Sequence, residues 1–410
     1  MTSDDRCPVV NFDHHSQHHA DDPAAAYREL RRTAPVAWTE AHGGYWVLSD
    51  YSSVFDAARD DDLFSSARTG DEGLAIVIPP TPMHFHIPIE LDPPDFRKFR
   101  KVVNLITAPA AVARLEGLID QYTTWFIDEI IEQGKADFAD VIGVPAALTI
   151  DWLGLPTNEW KRYATAYHAV IADEPGSPLY RQAVQVDLPY LAAQMNEVIA
   201  ARRAEPTDDV ISLLLEQQVD DRLLTDDEIF GITDLLISGG TGTTASLVSQ
   251  VLVWLNDHKD VRSQLAADPS RVDRAIEEFL RFFSPTQALA RTVTRDVEFH
   301  GCPMHEGDRV LVSWSSANRD ETAFEKPDEI DIDRWPNRHT AFGIGLHRCA
   351  GSHLARKMAL SLLTQILERI PDYEIDTSQL QRYPDQGTNV GFRSIPATFT
   401  PGTRRLVDAK

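Results

Sequence analysis

The chain has 410 residues, with 39 Lys and Arg against 63 Asp and Glu, and so a formal net charge of −24. That balance excludes generic nucleic-acid binding and favours solubility. The three cysteines, Cys7, Cys302 and Cys349, are too few and too scattered for a disulfide framework, which points to a reducing compartment.

In chain order, Met1 to Asp22 is polar and acidic and has no apolar run long enough for a signal or a membrane anchor. We read residues 1–22 as a flexible, solvated N-terminal segment, with His14, His15, His18 and His19 part of it and not a metal tract. The expectation is a soluble, cytoplasmic protein. No Pro/Gly/Ser-rich linker or internal repeat divides the rest, so residues 23–410 are expected to form one domain. Tyr45 to Ser49 alternates as a strand does. Arg97, Lys98, Arg100 and Lys101 then make a basic run on an otherwise acidic chain.

Thr225, with Glu228 three residues on, predicts a capping-box start for a helix from about Asp226 to Trp254. From Ile229 through Leu236-Ile237 to Leu247, Val251 and Leu255 it is apolar on nearly every face, so it should be buried. Its centre, Gly239-Gly240-Thr241-Gly242-Thr243-Thr244, places three glycines inside that helix at ~1 kcal/mol each relative to alanine. Glycine there either admits something close to the backbone or serves tight helix packing. Glu278 and Arg281 lie three apart on one helix face and can pair. Val297 to Gly301 and Arg309 to Ser313, around Gly307, read as a pair of strands.

The most informative segment comes last. Phe342-Gly343-Ile344-Gly345-Leu346-His347-Arg348-Cys349-Ala350-Gly351 sets one cysteine in a glycine-cornered loop. After it, Leu354, Met358, Leu362, Ile366 and Ile370 recur every fourth position, so a helix starts at or just after Cys349. A thiolate, the metal-binding form of cysteine, is stabilised by backbone N–H groups and by the positive end of such a helix. The glycines let the chain lie against a flat ligand.

This segment matches F-G-x-G-x-H-x-C-x-G at every fixed position, and the chain there resembles the cytochrome P450 family. Glu278-Phe279-Leu280-Arg281 resembles the family's E-x-x-R helix and Asn318-Arg319-Asp320 its N-R-D turn. Phe324 to Pro327 with Asp331 to Arg334 resembles its meander. Asp22-Pro23 through Arg32, and Tyr45-Trp46-Val47 through Phe64-Ser65-Ser66, look like its opening helix and first strands. The resemblance implies a mainly α, triangular domain with a small β-rich lobe, holding heme b (iron-protoporphyrin IX) with Cys349 as the axial iron ligand.

By the same resemblance Phe342, Gly343 and Gly351 border the heme. Arg100, Arg291 and His347 stand at propionate-binding positions, while Phe96 replaces a histidine that many relatives have. Glu278, Arg281 and Arg334 form a structural network. The family's A/G-G-x-[DE]-T-T stretch places Thr243 at the oxygen-binding face, beside Thr244. Position 242, normally the proton-relaying acid, is Gly242, which carries no proton. Ordered water, a hydroxyl of Thr241 or Thr244, or a polar group of the substrate are the open alternatives.

The implied activity is a monooxygenase that inserts one atom of dioxygen into a hydrophobic small molecule (terpenoid, steroid or aromatic). Electrons would come from NAD(P)H through an acidic ferredoxin and its reductase, docked on the basic run with Arg348, Arg356 and Lys357. A monomer with no membrane partner is expected. A peroxygenase or other non-hydroxylating enzyme, and a heme-binding sensor, are the alternatives. The pocket is expected from Gly73 to Pro88, Tyr167 to Ile171, Ile237 to Gly242, Thr286 to Leu289 and Val390 to Phe392, with Ile76, Val77, Ile78, Phe85, Ile237, Gly239, Leu289 and Phe392 as lining. His84 and His86 read as surface-loop histidines.

Overall fold

The computed structural model describes residues 7–68, 70, 73 and 75–406. Helix dominates, as expected. The helices that position the site are α1 (Asp95–Thr107), α2 (Val144–Leu153), α3 (Trp160–Ala172), α4 (Asp226–Thr241), α5 (Thr243–Asp257), α6 (Val272–Phe283) and α7 (Ser352–Arg369). The start of α4 is the expected capping box. The Glu228 N–H donates to Thr225 Oγ1 at 3.2 Å, and the Thr225 N–H donates to Glu228 Oε2 at 2.8 Å.

Two cores meet along α4 and α5. In one, Ile229, Ile232 and Ile237 of α4 are buried with Ile150 of α2 and with Tyr163 and Tyr167 of α3. In the other, Val248 and Leu252 of α5 are buried with Phe279 of α6 and with Leu362 and Ile366 of α7. Each such aliphatic or aromatic side chain contributes ~1.5–3 kcal/mol by leaving water. The single helix expected from Asp226 to Trp254 is in fact two, broken at Gly242 (φ −113°, ψ −42°). Glycines weaken the ladder there, and the Thr243 hydroxyl donates to the Gly239 carbonyl at 2.8 Å, a side-chain bond that competes with the backbone for that acceptor.

The β lobe is a five-stranded sheet of β1 (Val36–Thr39), β2 (Tyr45–Leu48), β3 (Phe64–Ser65), β4 (Leu289–Val293) and β5 (Arg309–Val312), in the order β1-β2-β5-β4-β3. Leu311 of β5 faces Val47 in a parallel pair and Ala290 in an antiparallel one. The expected pairing of Val297 to Gly301 with Arg309 to Ser313 is corrected. Val297–Phe299 turns back on Cys302–Met304 through His300 and Gly301, both at positive φ. Two such residues make the tight turn whose twist suits a hairpin, which leaves Arg309–Val312 for the main sheet.

Two expectations about the N-terminus also fail. From residue 7 onward the segment is anchored rather than wholly solvated: His14 and His19 are each 1% exposed, while Val9, Gln17 and His18 stay exposed. His14 Nδ1 is 2.9 Å from Tyr45 Oη, and His15 bridges Asp385 Oδ2 (2.5 Å) and the Ile78 carbonyl (2.6 Å). Phe12 is buried with Tyr27 and Tyr45, so an apolar anchor and paired imidazoles outweigh the polar composition. Cys7 and Cys302 form a disulfide, with Cα atoms 5.5 Å apart and a sequence separation of 295. The inference of a reducing compartment from scattered cysteines therefore loses its basis. Among the described residues no single helix is long and apolar enough to cross a membrane.

Candidate active site

The cysteine loop is shaped by backbone bonds. The Gly343 N–H donates to the Thr340 carbonyl at 2.7 Å, and the Cys349 N–H donates to the Phe342 carbonyl at 2.8 Å. Gly343 and Gly345 have φ of +68° and +72°, a region costly for residues with a Cβ. Gly351 is the N-cap residue of α7. Burial pushes the Cys349 thiol up, opposed by the Gly351 N–H and by Arg100, Arg348 and Arg356. The thiol is open to a cavity of about 420 Å³ lined also by Phe342, Gly343, Gly351 and, on another wall, Thr243 and Thr244. A Cβ on Gly351 would meet only Cys349 Sγ, at 4.0 Å, so its other side is open.

The loop is held from behind by the expected network. The Arg281 guanidinium donates to both Glu278 carboxylate oxygens, each at 2.8 Å, and Arg334 Nε donates to Glu278 Oε2 at 3.0 Å. Arg281 also donates to the carbonyls of Asn318, Pro327 and Glu329, so a guanidinium with no exposure is fully satisfied. Asn318 then accepts the Thr340 N–H at 2.6 Å, tying the N-R-D turn to the start of the loop. Sequence reasoning missed a second acid. Glu277 accepts from Arg356 Nε at 2.6 Å and lies 3.1 Å from His339 Nε2. Although burial opposes it, bonds from Arg356 and His339 hold the Glu277 carboxyl down at about 2. Its adjacency to the E-x-x-R glutamate was the only signal in the chain.

Arg100, Arg291 and His347 all line this cavity. Arg291 is buried, its pKa pushed down to about 10 by burial, and it donates to its neighbour's carbonyl, that of Ala290, at 2.7 Å. Both His347 ring nitrogens are buried without a hydrogen-bond partner. Burial, with Arg291 and Arg100 beside it, pushes that ring down to about 3. Phe96, where relatives have histidine, packs on His347 at 4.2 Å between ring centroids. Two guanidiniums and unsatisfied imidazole nitrogens around one cavity call for an anion. A flat macrocycle with two carboxylates and a metal facing a single thiol fits this donor set.

On the opposite wall the three glycines do three different things. A Cβ on Gly239 would meet nothing within 4 Å; one on Gly240 would press on Thr149 Oγ1 at 2.8 Å; one on Gly242 would collide with the His168 ring. Both sequence explanations thus hold, at different residues. Gly239, Gly240, Thr243 and Thr244 line the cavity, whereas Gly242 faces away from it, which corrects its placement among the lining groups.

Of the expected substrate-pocket residues, Ile76, Val77, Gly239 and Leu289 line the cavity. Ile78 instead packs under the sheet with Phe12 and Tyr27, and Ile237 and Phe392 belong to the two helical cores. Phe85 points outward, 38% exposed, under the Arg68 guanidinium. Their apolar character fitted a pocket and a core equally well. The reading of His86 as a surface histidine is also corrected. It is buried, lines the cavity, and lies 3.0 Å from Asp234 Oδ2 of α4. Tyr167 of α3 donates to the other Asp234 oxygen. Burial would raise the Asp234 pKa, but bonds from His84, His86 and Tyr167 hold it well below the usual carboxylate range. An aspartate inside the apolar run of α4 needs such partners, and that was the unused signal.

The basic patch is smaller than expected. Lys98 pairs with Asp95 and Asp220, Arg356 with Glu277, and Lys357 with Glu116. Arg100 turns inward to Asn104 and the Arg348 carbonyl. Arg97, Lys101 and Arg348 remain exposed.

Comparison with known proteins agrees with this geometry. The family model described as Cytochrome P450 matches residues 179–398. A steroid C26-monooxygenase of Mycobacterium tuberculosis is 34% identical over 385 residues, covering 92% of this chain and 94% of that protein. Cytochrome P450 109 of Bacillus spizizenii is 31% identical, covering 94% and 91%. The solved structure of CYP109E1 from Bacillus megaterium in complex with testosterone superposes with a TM-score of 0.83 at 28% identity, covering 95% of this chain and 100% of that one. The chain belongs to the cytochrome P450 family, and is a heme-binding oxidoreductase that incorporates oxygen.

Proposed function

We propose that Cys349 is the axial ligand of the heme and that the chain hydroxylates a steroid or an apolar molecule of similar size, with electrons from NAD(P)H through a ferredoxin. The observation that carries this reading is a single thiol facing, across one cavity, the hydroxyl of Thr243, with cationic groups on the rim. When bound, the heme supplies the activation of dioxygen, which a thiolate ligand assists in this family at large.

The chain's own residues do the rest. Arg100 and Arg291 would neutralise the carboxylates of the macrocycle, and the uncharged His347 ring would offer one of them a hydrogen bond. Gly239 leaves room beside it, and the hydroxyl of Thr243, held on the Gly239 carbonyl, is a lining group able to offer a proton at the reacting side. Ile76, Val77, Val170, Leu236 and Leu289 give the cavity an apolar body and exclude water. His15, Asp173 and Asp385 line it as well and suit the oxygen functions of a steroid. The steroid relative and the testosterone complex support this class over terpenoids and aromatics. Arg97, Lys101 and Arg348 are the surface we assign to an acidic ferredoxin.

Titrating the ferric protein with steroids, terpenoids and aromatic acids tests the substrate class. A saturable low-to-high-spin shift with steroids alone is expected; a shift with another class and none with steroids overturns the assignment. The missing carboxylate at 242 favours one second reading, peroxide-driven turnover. Equal product from peroxide without ferredoxin would select it.

A further inference from the structure

Position 242 lacks an acid, but the place where its side chain would lie is not vacant. His168 of α3 fills it: the atom a Cβ on Gly242 would strike first is His168 Nε2. The two residues are therefore sterically linked, since the imidazole reaches the turn between α4 and α5 only because residue 242 has no side chain.

The surroundings are polar in an otherwise apolar wall. His168 Nε2, Thr241 Oγ1 and Thr149 Oγ1 are all buried without a hydrogen-bond partner. Thr149 of α2 lies against Gly240, one residue before Thr241. Helices α2 and α3 thus bring an unsatisfied polar atom against Gly240 and Gly242, Thr241 between them carries a third, and the next residue, Thr243, lines the cavity. Buried polar atoms are seldom left unpaired unless bridging water or chemistry uses them.

We propose that His168 stands in for the acid missing at 242, passing protons from the solvent side through bridging water to the Thr243 hydroxyl and so into the cavity. Each proton taken up by the ring is matched by one released toward Thr243, which releases one in turn. The ring ends neutral, as it began, but with its proton on the other nitrogen; a ring flip or proton exchange through the bridging water restores the first tautomer, and no electron moves in this step. His168 does not touch the reacting atoms; it is a positioning residue for the proton, acting through Thr243. Burial, with Arg393 adding to it, pushes its pKa down to about 4, so the ring hands a proton on and does not store it. The groups facing the ring are Arg393, itself paired with Asp173, and Tyr383 at 5.7 Å between centroids.

This inference rests on the monooxygenase reading, and its test separates the two. H168A, the bulk-preserving H168F, G242D and the H168A/G242D double variant are compared as holoproteins, for thermal stability and for product per NAD(P)H. G242D alone should lower Tm, and the double variant should recover most of that loss, because the aspartate fits once the ring is gone. H168A and H168F should each lower product per NAD(P)H by at least ~10-fold, short of the ~100-fold typical of a direct acid–base group because water remains. Both should raise the solvent deuterium isotope effect on NAD(P)H oxidation, and the double variant should restore coupling. A full product yield in H168F, or G242D as stable as wild type, overturns the proposal. The stability cycle needs no turnover, so a wild type that forms no product would fault the monooxygenase reading and leave the placement of His168 to be decided by Tm.

Discussion

Behind Cys349, the buried charges Glu278, Arg281 and Arg334 answer one another, and Glu277 does the same for Arg356 and His339. Across the cavity, Thr149, His168 and Thr241 hold buried polar atoms without partners, next to a break in a helix. The first region is organised to keep one thiol in place, and its unsatisfied ring, His347, lines the cavity beside Arg100 and Arg291. The second tolerates unsatisfied groups and a weakened helix, both of which cost stability, where protons and substrate must be handled. Rigidity and chemistry are thus divided between the two walls.

Breaking the thiol side should have the larger effect. Glu278→Ala leaves Arg281 buried without its carboxylate, at a cost of ~3–5 kcal/mol. Purified protein should show a much lower Tm and a low heme-to-protein ratio. Retention of heme at the wild-type ratio would show that the loop does not depend on this network.

On the far wall, Asp234→Ala strands His86 and the Tyr167 hydroxyl, with a smaller expected loss of ~1–3 kcal/mol. Heme content should persist while steroid affinity weakens, since His86 lines the cavity. If heme is lost and affinity in the remaining holoprotein is unchanged, the division between walls is misdrawn.

The smallest effect concerns pH. Glu277 titrates near 4.5 when unfolded and is held at about 2 in the fold, so its contribution is complete above the unfolded pKa and is lost as pH falls toward the folded one. Glu277→Gln should therefore flatten the decline in Tm between those two values and lower Tm modestly at neutral pH. An identical acid profile in both proteins would show that the Arg356 pair contributes nothing there.

The two walls also differ in how far the sequence reveals them. The thiol side is dominated by contiguous motifs, and Cys349, His347, Glu278 and Arg281 could be placed from spacing or from the family pattern. The far wall draws single residues from the segments around His86, Thr149, His168 and Asp234, and no local spacing joins them. Periodicity separates buried from exposed but not core from cavity, which is why Ile78, Ile237 and Phe392 were misplaced. The Cys7–Cys302 bridge and the buried N-terminal histidines were missed because their partners lie far away in the chain. On the far wall Asp234 carried a readable hint, a charge inside an apolar helix.

The most direct test of the account is the absorption spectrum of the reduced protein under carbon monoxide, wild type against Cys349→Ala, both reconstituted with heme. Wild type should show the red-shifted Soret band of a thiolate-ligated iron, and the variant should lack it while its far-UV circular dichroism is retained. A thiolate spectrum that survives in the variant, or one absent from a heme-replete wild type, would contradict the assignment of Cys349 and the function built on it.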